Sequence, residues 1–147
     1  MGLALSEAEK AGDKGEVPVG AVIVVGETVV AKGHNLREAN NDPTAHAEMI
    51  AIRKAAKKLD SWRLLNSTLY VTVEPCIMCI GAIVLARVPR LVFGCLDPKG
   101  GAVGSLYDIS NDKRLNHRVK VTSGVMAEEA QALLKDFFKK LRKSSGR

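Results

Sequence analysis

The stretch TLYVTVEPCIMCIGAIVLARVPRLVFGC, residues 68–95, decides the fold. Thr68 to Val73 is rich in β-branched and aromatic residues and reads as a strand, which Glu74-Pro75 stops. A helix is predicted from near Cys76 to Ala86, apolar on nearly every face and so buried against a sheet or at a subunit contact. Pro89 closes that helix, and Arg90 to Cys95 reads as the next strand.

Toward the N-terminus, Leu3 to Lys10 predicts a short helix that the Gly12–Gly15 stretch breaks. Gly20 to Val25 and Thr28 to Ala31 predict a hairpin turned at Gly26-Glu27, with Gly33-His34-Asn35 ending its second strand. A polar loop through Asn40-Asn41 leads to Asp42-Pro43-Thr44, where an N-cap acid and a proline predict a helix start; that helix runs to about Leu59. Its Arg53, Lys54, Lys57 and Lys58 are expected on a solvated face. Toward the C-terminus come a glycine-rich loop at Gly100–Gly104, a last strand at Arg118–Thr122, a helix over Ala127–Lys143 and a frayed end at Ser144–Arg147. With no repeat and no linker, residues 1–147 are expected to form one α/β domain with a basic terminal helix. Its strands and helices alternate after an initial hairpin, which predicts three layers, helices covering both faces of a mixed central sheet. Strand order is not fixed by this pattern, but chemistry is expected at the carboxyl ends of strands, where the following helices begin.

Size and composition narrow the function classes. A chain of 147 residues and 15.8 kDa can bury one core without staples, and 46% apolar with 26% charged residues excludes a disordered, collagen-like or disulfide-dense chain. The longest nearly apolar run, Cys76–Ala86, falls short of the roughly 20 residues of a transmembrane helix. The start MGLALSEAEK lacks the pattern of a secretory signal, and three cysteines are an odd number for a disulfide framework, so a reducing cytoplasmic compartment is expected. The 22 basic and 16 acidic residues leave a net charge of +6 with a pI near 9.4, pointing to a polyanionic partner. Placement sharpens this: from Lys135 on, the bases Lys135, Lys139, Lys140, Arg142, Lys143 and Arg147 face the single acid Asp136.

The residues that point to chemistry are His46-Ala47-Glu48 at one predicted helix start and Pro75-Cys76-Ile77-Met78-Cys79 at another. Cysteines three apart share one side of a helix, and at its N-terminus the free amides and the dipole favour the thiolate that binds zinc. Two thiolates and an imidazole make three ligands, the number a catalytic zinc uses when it keeps a position for water. Glu48, two residues from His46, reaches the same point only if the metal lies beyond the helix end. There a carboxylate can take a proton from an activated water and deliver it to substrate. Taken singly, the cysteines also fit core residues, a redox pair or part of a structural site. A closed zinc site would recruit Cys95, His34 or His117 as fourth ligand.

The pairing of HxE with PCxxC is the signature of zinc nucleobase deaminases. The likeness extends through Glu16–Val22, Asn35, Asn41–Glu48, Tyr70–Cys79, Val92–Gly94, Asp97, Gly101–Leu106, Asn116–Val119 and Asp136–Phe138. Over nearly the whole chain the sequence resembles the bacterial-type tRNA-specific adenosine deaminases of the zinc-dependent cytidine and deoxycytidylate deaminase-like superfamily. The resemblance implies a cytidine deaminase-like fold and a homodimer that deaminates the wobble adenosine of a tRNA anticodon stem-loop, of arginine tRNA, to inosine. It implies one zinc per subunit on His46, Cys76 and Cys79, with Glu48 as the proton shuttle. It gives Asn35 a hydrogen bond to the purine and Asp97 a contact to a neighbouring sugar, where a carboxylate can accept from a 2′-hydroxyl. It lays Phe137, Phe138, Lys139, Lys140 and Arg142 along the stem-loop. Read locally, Asn35 and Asp97 are turn residues, the phenylalanines core and the lysines solvated surface. A shorter first helix, Cys95 and Pro98 depart from the family pattern. A zinc deaminase of free cytosine, cytidine or guanine shares the metal motif, and a zinc-stabilised RNA-binding module is the non-enzymatic alternative.

Overall fold

Strand β1 (Gly20–Val25) alternates its side chains between two helical layers. Ala21 and Ile23 are fully buried on one face, while Val22 and Val24 look toward the start of helix α1 (Gly2–Asp13) on the other. In the computed structural model, which describes residues 1–145, β1 turns at Gly26 into β2 (Thr28–His34). Then follow a one-turn helix α2 (Arg37–Asn40), α3 (Ala47–Leu59), β3 (Ser67–Val73), α4 (Ile77–Leu85), β4 (Arg90–Cys95), β5 (Lys120–Thr122) and α5 (Ala127–Ser144). The sheet order is β2-β1-β3-β4-β5, antiparallel about β1 and parallel from β3 to β5. This is the mixed sheet that the alternation predicts.

Helices α3 and α4 cover one face. Ala47, Ala51 and Ala55 form a small-residue stripe, and Ile80, Ile83 and Val84 of α4 join Leu69, Val71, Leu91 and Phe93 of the sheet in the main core. Gly33 sets how close α3 approaches: a Cβ there would stand 2.5 Å from the Ala47 carbonyl oxygen and 2.9 Å from the Ala51 nitrogen. Helices α1 and α5 cover the opposite face through Leu5 and Ala130, packed with Val73 and Cys95. On that side Glu7, although buried, receives hydrogen bonds from Lys10 Nζ at 2.7 Å and His34 Nδ1 at 3.0 Å, tying α1 to the end of β2.

The structure departs from the sequence reading at several points, among them the last strand, which begins at Lys120 and not at Arg118. Asp42 does not cap a helix; its Oδ1 accepts from the Thr44 amide at 2.8 Å and the Thr44 hydroxyl at 2.7 Å, making a turn. Helix α3 therefore begins later, with His46 in extended backbone at its N-cap. The polar loop holds α2, whose Glu38 and Ala39 amides donate to the carboxylate of Glu16 at 3.1 and 2.9 Å. The first helix is longer than Leu3–Lys10, because Gly12 fits within its last turn and only Gly15, at φ 79°, ends the segment. Helix α4 is half covered: Cys79, Ile80, Ile83 and Val84 are buried, while Ile77 and Leu85 are exposed. The frayed end predicted at Ser144–Arg147 falls partly outside the described residues, as does the basic Arg147.

Candidate metal centre and active site

Sheet topology gathers the motifs. β2 and β3 are each antiparallel to β1, hence parallel to one another, and β4 runs parallel to β3. The carboxyl ends of β2, β3 and β4 thus emerge at one edge, delivering Asn35, Glu74-Pro75-Cys76 and Asp97 side by side. Helices α3 and α4 start at the same edge, with His46 and Cys76 as their N-caps.

His46 Nδ1 stands 3.7 Å from Cys76 Sγ and 3.5 Å from Cys79 Sγ, and the three ligand atoms lie within 4.8 Å of one another. Tetrahedral zinc with Zn–N near 2.05 Å and Zn–S near 2.3 Å requires an N···S separation of about 3.6 Å. The donor set and its spacing fit zinc. The remaining candidates for a fourth ligand are engaged elsewhere. His34 bridges Glu7 and Lys14, with Lys14 Nζ 3.0 Å from its Nε2. His117 Nε2 donates to the Val88 carbonyl at 2.7 Å, and Cys95 packs in the α1–α5 layer. The cluster therefore offers three ligands, the number that leaves a catalytic zinc an open position.

Cys76 titrates at about 3, because its thiolate accepts hydrogen bonds from the Cys79 thiol and from His46. Reciprocally, the Cys79 thiol is pushed up by the hydrogen bond with Cys76 and by burial. His46 is raised by its hydrogen bond to Cys76, an effect that burial opposes and the nearby positive charge of Arg37 opposes more weakly. Glu48, 4% exposed, is pushed up to about 7 by burial, which outweighs a hydrogen bond from its own backbone amide and the attraction of His46. A carboxyl group near neutrality beside a metal-ligand cluster is suited to exchange protons in both directions.

Asn35 is buried, and its Oδ1 accepts from the Ala47 amide at 2.9 Å. An amide N–H can only donate, so this bond fixes which way the Asn35 carboxamide points and leaves its NH2 group as the donor available to the cavity. Asn35 therefore serves the start of α3 and lines the cavity as well. Asp97 behaves as a turn acid, with Oδ1 accepting from the Lys99 and Gly100 amides at 3.1 and 3.2 Å, and it too lines the cavity.

The cavity has a volume of 180 Å³ and is walled also by His46, Glu48, Glu74 and Cys76. Whole-ligand pockets run from about 300 to 1,000 Å³, so this one is sized for a fragment such as one flat heterocycle. Val17, Val19, Val73 and Asp97 are shared with a 1080 Å³ groove that continues along α5 past Lys135, Phe138, Lys139 and Arg142. Phe137 and Lys140 lie off that groove, beside Glu9 and Pro18, although the two phenylalanine rings meet edge to face at 5.3 Å.

Two cavity residues were not singled out from sequence. Arg37 had no signal beyond its place in a polar loop. Glu74 had one, a carboxylate between a strand end and a ligand-bearing helix, but it read only as a strand terminator.

The sequence pattern of the MafB19-like deaminases matches residues 1–142. A tRNA-specific adenosine deaminase of Bacillus subtilis (strain 168) is 52% identical over 140 residues, 95% of this chain and 87% of that protein. The chain belongs to the tRNA-specific adenosine deaminase family. Another member, from Haemophilus influenzae, is 52% identical over 143 residues, 97% of this chain and 83% of its own length. Among solved structures, one from a study of A-to-I editing by tRNA:A34 deaminases superposes with a TM-score of 0.88 at 46% identity, covering 91% of this chain and 97% of its own. A guanine deaminase of Bacillus subtilis superposes less closely, with a TM-score of 0.65 at 33% identity over 94% of this chain and 90% of its own. This member of the deaminase family has the cytidine deaminase-like fold implied by its motifs, and no helix among its described residues is long and apolar enough to cross a membrane.

Proposed function

We propose that the chain hydrolyses the wobble adenosine of a tRNA anticodon loop to inosine, adding water and releasing ammonia. The observation that carries this reading is the connection between a base-sized cavity holding Glu48 and the His46–Cys76–Cys79 cluster, and a long groove edged by the basic face of α5. A free base would need the cavity alone, whereas a nucleotide within a polyanionic strand uses both.

In this reading His46, Cys76 and Cys79 would hold one zinc per subunit, which would supply Lewis acidity to a water at the site. Glu48 takes one proton from the attacking water and gives it to the purine ring nitrogen next to C6, then carries the second proton, from the hydroxyl so formed on C6, to the amine as it leaves as ammonia. Asn35 presents its NH2 group to an acceptor on the purine edge. Asp97, at the junction of cavity and groove, accepts from the 2′-hydroxyl of an adjacent nucleotide. Phe138, Lys139 and Arg142 offer a stacking face and phosphate contacts, while Phe137 and Lys140 reach the stem from the α1 side.

The enzyme acts in the cytoplasm, in line with free Cys76, Cys79 and Cys95. It acts as a homodimer, a state that the exposed apolar Ile77 and Leu85 of α4 favour.

The test is product analysis with zinc-loaded protein supplied in parallel with an arginine tRNA anticodon stem-loop, adenosine, cytidine and guanine. Inosine is expected only in the stem-loop, at the wobble position. Turnover of a free base or nucleoside with the stem-loop untouched would assign the chain to deaminases of small molecules.

A further inference from the structure

Glu74 is placed to act on recognition rather than on the metal. Its backbone amide donates to the Cys95 carbonyl at 2.8 Å, and its Oε1 accepts from the Asp97 amide at 3.1 Å and from the Ser105 hydroxyl. Oε2 accepts from the Val103 amide at 2.9 Å and the Ser105 amide at 3.1 Å. A carboxylate has about four acceptor sites, so this group is saturated and has none left for a metal or a substrate proton. The surroundings are shaped around it. A Cβ on Gly101 would stand only 2.3 Å from the carboxyl carbon, and the Ala102 amide donates at 2.9 Å to the carbonyl of Pro75, the next residue in the chain.

We propose that Glu74 is a positioning residue for the substrate strand: it fastens the segment from Asp97 to Ser105 to the β3 end that carries Cys76, holding Asp97 at the mouth of the cavity. The part of this inference that concerns the 2′-hydroxyl rests on the role given above to Asp97. One side chain thereby couples the wall bearing a metal ligand to the wall meeting the neighbouring nucleotide. Glutamine preserves the shape of Glu74 but has one acceptor oxygen. In either amide orientation at least one backbone N–H, of Asp97 or of Val103 and Ser105, then faces an NH2 group.

The experiment compares zinc-loaded wild type, Glu74→Gln, Ser105→Ala and Asp97→Ala on two stem-loops, one all-ribose and one with a single 2′-deoxy sugar beside the target. Expected for Glu74→Gln are a rise in KM for the ribose stem-loop of about tenfold, with kcat kept within about threefold and zinc stoichiometry as in wild type. The ribose-to-deoxyribose ratio of kcat/KM should fall toward that of Asp97→Ala. Ser105→Ala, which removes one hydroxyl donor, should shift KM the same way by less, and it carries the test if Glu74→Gln does not fold. Loss of zinc with unchanged KM would overturn the proposal in favour of support for Cys76. Unchanged KM and ratio would overturn it as well. An Asp97→Ala enzyme with the wild-type ratio would instead refute the Asp97 contact, and the KM shift alone would then decide for or against Glu74.

Discussion

Glu48 and Glu74 line one cavity with their proton affinities driven in opposite directions. Burial raises Glu48 to about 7. Burial acts the same way on Glu74, but hydrogen bonds from Ser105 and from the Asp97 and Val103 amides outweigh it and hold Glu74 below the usual glutamate range. Divergent environments separate two carboxyl groups that the residue type alone does not: one is poised near neutrality and the other stays an anion.

Glu48→Gln should abolish turnover while leaving the scaffold intact. General acid–base catalysis accounts for about 10²- to 10⁴-fold, so kcat should fall by at least that range. Zinc content and stem-loop binding, read by metal analysis and filter binding, should remain near wild type.

Zinc affinity should weaken as pH falls. The Cys79 and His46 protons are both held more tightly than in the free side chains, and each must leave before its ligand binds metal. Above the raised His46 titration one proton is displaced, from Cys79, giving a slope of about one decade in Kd per pH unit. Below it two are displaced and the slope approaches about two decades. Chelator competition between pH 5.5 and 8 checks the steepening; a slope independent of pH would refute it.

Lys139→Gln combined with Arg142→Gln should flatten the salt dependence of stem-loop binding. Each phosphate contact on a single strand contributes about 0.7 to the log–log slope, so the pair should lower it by about 1.4. The same slope as wild type would return α5 to a solvated surface.

Gly33→Ala should cost about 1–3 kcal/mol of stability through overpacking, because its Cβ meets the backbone of α3 and not a flexible side chain. Denaturant unfolding measures the loss. Zinc content should fall with it, since the displaced helix end carries His46.

Periodicity and breakers made the strands and most helices legible, since each burial pattern follows local alternation or a small-residue stripe. The metal cluster was legible for a similar reason: its residues sit at element ends whose direction the breakers mark. Asp42-Pro43 misled because an aspartate that caps a helix and one that closes a turn use the same acceptor geometry, and the first amide of α3, at Ala47, is met by Asn35 from the end of β2, a partner far away in sequence. Glu74 escaped notice because its partners, at Asp97, Val103 and Ser105, lie more than twenty residues away and are mostly backbone amides, which carry no sequence signature. The double duty of Asn35, serving Ala47 and the cavity together, needed coordinates for the same reason.

The gathering of β2, β3 and β4 ends at one sheet edge divides the centre by chain segment. Residues up to Cys79 supply Glu48 and the His46–Cys76–Cys79 cluster, while residues from Cys95 onward supply most of the groove along α5. An exchange of the downstream segment between relatives can therefore redirect such an enzyme to another strand context without rebuilding the base-sized cavity. Glu74 is the joint across which the two halves must still match.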